Sequence, residues 1–150
     1  MYFVDRQQLK DKLDYIDHLL ELFQRKAWKT ELEQLALERI AQNLIESIID
    51  TGNQMIDGFI MRDPGGYLDI IDILEDEKVL PEAEAEAIKR VISWRKQLVR
   101  EYLSLDHQKL ASCLLDNSRA LSRFSQCVAD YLEKELGPVS AFAPVRKVEE

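Results

Sequence analysis

The sequence contains few of the residues that interrupt helices and no long apolar run. Its 150 residues include Gly 5 and Pro 4, while hydrophobic residues make up 46% and charged residues 32%. A chain that is poor in glycine and proline but rich in apolar and charged residues suits long amphipathic helices rather than turn-rich sheets. We therefore expect an all-α fold, and a chain of this length can form one domain with a substantial core.

Membrane and secretion signals are absent from the sequence. No segment approaches the ~18 apolar residues of a membrane span, and the start, Met-Tyr-Phe-Val-Asp-Arg, has no signal-peptide pattern. Cys113 and Cys127 fall on one predicted helix, ~21 Å apart along its axis, so they cannot bridge each other without unfolding it. We expect a cytoplasmic protein with reduced thiols and no membrane partner.

The charge balance and the spacing of ligand residues limit the partners further. The formal net charge is -8, so any nucleic-acid surface must be a local basic patch. Glu46 and Asp50 form an i, i+4 acidic pair without a third ligand, and His18 has no second His or Cys at helical spacing. We expect no metal, no cofactor and no DNA partner.

Hydrophobic spacing and capping residues predict an antiparallel bundle of four long helices plus a short helix. Thr30 and Glu33 form a capping box that starts the longest helix, and Asp106 is a candidate N-cap for the last one. Residues 1–136 are expected to form a single domain, followed by a tail at 137–150. The long helices are expected at 5–27, 30–60, 82–105 and 107–136, and the short one around 67–74.

The longest predicted helix has two distinct faces. Its apolar residues span roughly 200° of the circumference, more than one neighbour requires, which favours contact with a second copy of the chain as well. Gly52 lies in this apolar arc, where it either admits another helix closely or is merely tolerated. The opposite face carries a polar strip that is either solvated or one wall of a cleft. The strip consists of Arg39, Glu46, Asp50, Asn53 and Asp57.

The apolar side of the helix predicted over 82–105 contains an arginine, Arg95. Tyr102 follows seven residues later, so the two side chains should point within ~20° of each other and stand ~10 Å apart along the axis. Arg95 must either extend to solvent or meet a partner that needs a guanidinium. One alternative is a pairing with Glu46 or Asp50 across the bundle that fixes helix register.

The stretch from Trp94 to Tyr102 resembles a motif of the HepT-like branch of the HEPN superfamily: Arg, four residues, a polar residue, a variable residue and Tyr. The likeness covers roughly 5–136 and includes the segment 46–53. In that family two protomers bring an Arg, an Asn, a His and a Tyr together in a dimer cleft that cleaves RNA without a metal. The resemblance implies a homodimer of HEPN-like bundles with Arg95 and Tyr102 in the cleft.

Two motif positions depart from the family. Lys96 stands at the Asn position and Arg100 at the His position. Cleavage through the ribose 2'-hydroxyl needs a group that exchanges a proton near neutral pH, and imidazole suits that work. A guanidinium stays protonated, so Arg100 can hold a phosphate but cannot act as a general base. His107 is the other nearby imidazole and a weaker candidate for that role.

The resemblance thus implies Arg95, Arg100 and Tyr102 as catalytic residues, with Lys96, Glu46, Asp50 and Asn53 lining the cleft. Tyr102 is either a core-packing aromatic or, as in HepT-like toxins, the residue that a minimal nucleotidyltransferase antitoxin modifies with AMP. Two hypotheses follow. The chain is a ribonuclease toxin of a toxin–antitoxin pair, or it is an inactive dimeric module that binds RNA, a nucleotide or a protein partner without turnover.

Overall fold

The computed structural model describes residues 4–137 and is all-helical there, without a β-strand. Within these residues none of the helices combines the length and apolar character required to cross a membrane. Positions 138–150 of the predicted tail lie outside the described residues. The elements are α1 (Arg6–Phe23), α2 (Glu31–Gly58), α3 (Tyr67–Asp76), α4 (Glu82–Ile92), α5 (Arg95–Arg100), a 3₁₀-helix (Tyr102–Ser104), α6 (His107–Asp116) and α7 (Ser118–Leu136).

The predicted helix starts are confirmed. Thr30 and Glu33 form the reciprocal capping box at the start of α2, and the Asp106 side chain accepts a hydrogen bond from the Lys109 amide at the start of α6. Each cap satisfies amide groups that have no partner inside the helix, and replacing such a cap by alanine costs about 1 kcal/mol. The caps therefore fix where these helices begin without help from the core.

The first helix ends before the expected boundary. The expected range extended to residue 27, whereas α1 ends at Phe23. The Trp28 indole stacks on the Phe23 ring, with 6.0 Å between centroids, and its Nε1 donates to the Phe23 carbonyl at 3.1 Å. A carbonyl of the last turn is thus satisfied by a side chain that returns to the helix end.

The prediction of one continuous helix over 82–105 was wrong. The chain bends at Ser93 and Trp94, where Ser93 Oγ donates to the Lys89 carbonyl at 2.8 Å and the Trp94 amide reaches Val91 rather than the carbonyl four residues back. Serine hydroxyls that bond a preceding carbonyl bend helices. Consequently α4 ends at Ile92 and α5 begins at Arg95, with Leu98 as the buried residue of α5.

The helix predicted over 107–136 is likewise divided, here by the buried Asn117. Its Nδ2 donates to the Cys113 carbonyl at 2.7 Å, and its Oδ1 accepts from Arg90 Nε at 3.1 Å. The Cys113 carbonyl also accepts from the Asn117 backbone amide at 3.1 Å, so the side chain adds a second bond to that carbonyl and links the end of α6 to α4. The two cysteines, expected on one helix, lie on α6 and α7, and both are free thiols.

Helix α2 is central to the bundle. It packs against α1, α3, α5 and α6, while α7 packs against α1, α4 and α6. These neighbours within one chain account for the wide apolar arc of α2, so the width of the arc is no longer an argument for a second copy. The largest fully buried side chains are Phe124, Leu9, Ile16, Leu37, Leu44, Ile45, Ile48, Met55, Ile71, Ile73, Leu74 and Ile88.

Gly52 allows α3 to lie unusually close to α2, as one of the two sequence interpretations held. A Cβ built at Gly52 would collide with Ile70 Cγ2 and would touch Leu74 Cδ1 at 3.6 Å. Ile70 is β-branched and stiff at χ1, so it cannot swing away cheaply. The absence of a side chain at Gly52 therefore sets the distance between α2 and α3.

Candidate functional site

Arg95 is held on two sides by residues from different helices. Its Nε donates to Glu46 Oε1 at 2.6 Å, and its Cζ lies 4.3 Å from the centroid of the Tyr67 ring. The Arg95 side chain is 26% exposed and that of Glu46 is 38% exposed. The pairing of Arg95 with Glu46, one of the alternatives drawn from the sequence, is therefore present in the structure.

Three structural features bring these residues together. The bend after Ile92 places Arg95 at the first position of α5, facing the middle of α2, where Glu46 lies. Tyr67 is the first residue of α3, and α3 is positioned by its close contact with Gly52. None of these contacts is local in sequence, since Arg95 and Glu46 are 49 residues apart.

The turn before α3 is tied to the first turn of the helix that carries Tyr67. Arg62 Nη1 and Nη2 donate to the two carboxylate oxygens of Asp69 at 2.8 and 2.9 Å, and the Gly65 amide donates to the same carboxylate at 2.8 Å. The hydrogen bond from Arg62, assisted by that from Gly65, lowers the pKa of Asp69 from 3.8 to about 2. The loop is thus tied to the first turn of α3 at neutral pH.

The terminal nitrogens of Arg95 have no protein acceptor among residues 4–137. Its only hydrogen bond and ion pair to a described residue run through Nε. The guanidinium carries five N–H donors, so the four on the edge formed by Nη1 and Nη2 have no acceptor among these residues, and the side chain as a whole is 26% exposed. This edge has the fork geometry that binds a phosphate or carboxylate with two parallel hydrogen bonds.

The rest of the motif lies at the surface. Lys96 and Arg100 are exposed on α5. Tyr102, interpreted in one alternative as a core aromatic, is 59% exposed, so that interpretation was wrong. Because α5 ends at Arg100 and Tyr102 begins a 3₁₀-helix, the spacing calculated for one continuous helix from Arg95 to Tyr102 does not hold.

The polar strip of α2 meets the motif at one position. Glu46 contacts Arg95, whereas Asp50 is exposed and Asn53 is partly buried. Within the described part of the chain, neither Asp50 nor Asn53 has a hydrogen bond or ion pair to a motif residue. Their place in a cleft therefore remains a prediction.

His107 is tied to a different part of α2. Its Nε2 lies 2.8 Å from Glu38 Oε2, with both side chains about one fifth exposed. Glu38 and Glu46 are eight residues apart, ~12 Å along the helix axis. This contact fixes α6 to α2, and the ring nitrogen it uses is not available to a substrate. No cluster of three or more metal-ligating side chains occurs among residues 4–137.

Tyr67 is the site residue that the sequence did not reveal. The sequence placed it only at the start of the short helix expected around 67–74, whereas in the structure it is 47% exposed and contacts Arg95. The position of Tyr67 was a usable signal of its exposure. It is the first residue of a helix and directly follows two glycines, and such residues lie at the end of an element rather than within its buried face.

Comparison with known proteins gives consistent results. A family model described as ribonuclease HepT-like matches residues 9–128. The chain is 51% identical over 143 residues to "Putative RNase YutE" of Bacillus subtilis, covering 95% of this chain and 99% of that protein. It is 26% identical over 133 residues to a "Putative RNase" of Archaeoglobus fulgidus, covering 86% and 96%.

The similarity extends to a solved structure. YutE from Bacillus subtilis, described there as a cytosolic protein of unknown function, superposes with a TM-score of 0.91 and 51% sequence identity. The match covers 95% of this chain and 100% of the solved chain. The helical bundle is therefore shared over nearly the full length of both chains.

Proposed function

Because this chain belongs to the HepT-like ribonuclease family, we propose that it acts on RNA and holds a phosphodiester through Arg95. The observation that supports this proposal is the set of contacts that hold the Arg95 guanidinium. Glu46 and Tyr67 fix it by Nε and by one face, and its terminal edge has no acceptor among the described residues. Each phosphate of RNA presents two unesterified oxygens, and an edge of this kind binds them with two parallel hydrogen bonds.

The proposed reaction is metal-independent cleavage with the ribose 2'-hydroxyl as nucleophile. Arg95 and the exposed Arg100 would stabilise the negative charge that develops on the phosphate oxygens, and Lys96 would add to the local positive field. The exposed hydroxyl of Tyr102 is accessible to the same substrate. The 2'-oxygen bonds to phosphorus as the bond from phosphorus to the 5'-oxygen breaks. Neither arginine exchanges a proton near pH 7, so water takes the 2'-hydroxyl proton and returns one to the 5'-oxygen, and we expect slow turnover.

A homodimer is part of this proposal, with Asp50 and Asn53 lining the shared cleft. Apolar side chains are exposed at the end of the bundle where α2 begins and α5 ends: Leu35 is 55% exposed and Leu103 is 94% exposed. These residues precede Glu38 and His107, which contact each other, so the two leucines lie at the same end. Full burial of an exposed leucine side chain against a second copy of the chain would stabilise the dimer by ~1.5–3 kcal/mol.

The finer role we propose is that of a cytoplasmic toxin in a toxin–antitoxin pair. A minimal nucleotidyltransferase would act on Tyr102, whose exposure leaves its hydroxyl open to modification by AMP. A bulky anionic group there would stand beside the basic residues of α5 and would block RNA. The single domain proposed for 1–136 supplies all these residues.

The experiment compares RNA cleavage by the wild-type chain and by Arg95→Ala, without divalent metal. Arg119→Ala is the matched control, because Arg119 is an exposed arginine on α7. We expect cleavage by the wild type and Arg119→Ala and a loss of at least tenfold in Arg95→Ala. Cleavage that Arg95→Ala retains would exclude the proposed role of Arg95. Light scattering on the same samples tests the homodimer.

A second candidate is an RNA-binding module without turnover. The observation in its favour is Arg100 at the position where the family has histidine. This candidate predicts salt-sensitive RNA binding that Arg95→Ala weakens, together with intact RNA after prolonged incubation. If RNA neither binds at low salt nor is cut, both candidates fail.

A further inference from the structure

We infer that Tyr67 is the positioning residue that orients Arg95 for phosphodiester binding, an inference that rests on the proposed function. Tyr67 lies outside the motif on α5 and comes from a different helix. Its ring covers one face of the guanidinium, with 4.3 Å between Cζ and the ring centroid. That separation is well within the ~6 Å over which a cation and an aromatic face attract each other.

The ion pair with Glu46 does not by itself orient Arg95. A single hydrogen bond from Nε to Glu46 Oε1 fixes one point of the guanidinium but leaves its plane free to rotate about that contact. The Tyr67 ring restricts this freedom, because it occupies the space on one side of the guanidinium, 4.3 Å from Cζ. Together the carboxylate and the ring select one direction for the edge formed by Nη1 and Nη2.

Tyr67 is suited to this task because the structure around it is rigid. Three residues further along α3, Ile70 lies against Gly52 with no space for a side chain between them. On the other side, Arg62 and Gly65 hold Asp69 in the same first turn of α3. The ring is therefore presented to Arg95 by an element that cannot shift without disturbing the core.

The consequence is a preorganised fork. Ordering a long arginine side chain on binding normally costs conformational entropy, and a site that has already ordered it binds more tightly. The ring carries no net charge, so its removal leaves the charge of the site unchanged. Loss of Tyr67 should thus weaken RNA binding without changing the number of counterions released, whereas loss of Arg95 should change both.

The first test is binding of a fluorescent single-stranded oligouridylate by anisotropy over a series of salt concentrations. We expect Tyr67→Leu to weaken binding roughly 3- to 10-fold while keeping the wild-type slope of log affinity against log salt. Tyr67→Phe retains the ring and should bind like the wild type. Tyr15→Leu is the matched control, since Tyr15 is 40% exposed on α1.

The second test observes Arg95 directly and does not depend on RNA. In the wild-type protein the Arg95 Nε–H resonance should be shifted upfield by the Tyr67 ring and protected from exchange by Glu46. Tyr67→Leu should remove the upfield shift, and Glu46→Gln should reduce the protection, while Tyr67→Phe retains both. If Tyr67→Leu does not fold, Tyr67→Gln replaces it in both tests with the same expectations.

The outcomes separate the inference from the proposed function. Wild-type protein that binds no RNA at low salt overturns the proposed function and this inference with it. Wild-type binding that a folded Tyr67→Leu protein matches overturns the inference alone. Equal loss in Tyr67→Phe and Tyr67→Leu also overturns it, because the hydroxyl rather than the ring would then be responsible.

Discussion

Arg62 and Arg95 each pair with a carboxylate, and they do so in opposite ways. Arg62 uses both terminal nitrogens on the two oxygens of Asp69, at 2.8 and 2.9 Å. Arg95 uses only Nε on Glu46, at 2.6 Å. The Arg62 fork is therefore already occupied by a protein carboxylate, whereas the Arg95 fork is open.

The difference shows that an ion pair seen in a structure does not by itself distinguish a structural arginine from one that binds a ligand. The bidentate pair of Arg62 uses the geometry that an arginine would otherwise offer to phosphate, and it secures the turn before α3. The pair of Arg95 orients the side chain and leaves that geometry available. For these two arginines, the nitrogens used in the ion pair decide whether the terminal edge is left for a ligand.

The largest effect is expected from adding a base at position 100, on the helix that carries Arg95. Arg100→His introduces an imidazole at the position where the family has one, and general acid–base catalysis typically contributes ~10²–10⁴-fold. We expect RNA cleavage to rise within that range, measured without divalent metal. Arg100→Gln removes the same charge without supplying a base and should not gain activity. An Arg100→His protein no faster than Arg100→Gln would contradict this prediction.

The contrast between the two ion pairs is tested by replacing Arg95 and Arg62 separately with alanine. Arg95→Ala should weaken RNA binding roughly 10- to 100-fold, since hydrogen bonds to charged groups contribute about 1.5–3 kcal/mol, and should reduce the salt slope by about one charge. Arg62→Ala should lower the melting temperature and weaken binding less than the loss of the Tyr67 ring does, because Arg62 acts on the site only through the first turn of α3. Equal losses of affinity in the two variants would remove the distinction.

A smaller effect is expected from adding a side chain at the point where α2 and α3 are in closest contact. Gly52→Ala should lower the free energy of unfolding by ~1–3 kcal/mol, because the added Cβ collides with the stiff Ile70 side chain and overpacks the core. Gly66→Ala is the matched control, since a Cβ there meets nothing within 4 Å. Denaturant titration measures both. A Gly52→Ala protein more stable than the wild type would show that the close approach is not required.

The smallest effect is the pH dependence of the Arg62 turn. The hydrogen bond from Arg62 holds the pKa of Asp69 at about 2, below its ordinary value of 3.8. A group with a lowered pKa stabilises the folded state above its ordinary pKa and loses that contribution as pH falls through the folded value. The melting temperature of Asp69→Asn should therefore lie below that of the wild type near pH 7, and the gap should close between pH 3.8 and about 2. A difference in melting temperature that does not change with pH would rule out the Asp69 carboxylate as its cause.

Much of the fold was predictable from the sequence because the relevant interactions are local. Capping residues such as Thr30 and Asp106 bond amides three residues away. The bends within the last two predicted helices were not predictable in the same way. Asn117 divides α6 from α7 through a contact with Arg90, 27 residues earlier, and hydrophobic periodicity contains no information about that pairing.

For the candidate site, the sequence predicts that Arg95 is an unexpected charge beside apolar residues and that Glu46 is one of its available partners. The folded structure was needed to show which carboxylate Arg95 meets, which nitrogen it uses and which ring covers it, because these residues are far apart along the chain. Glu46, Tyr67 and Arg95 come from three helices, and their meeting depends on a bend at Ser93 and on the close packing at Gly52.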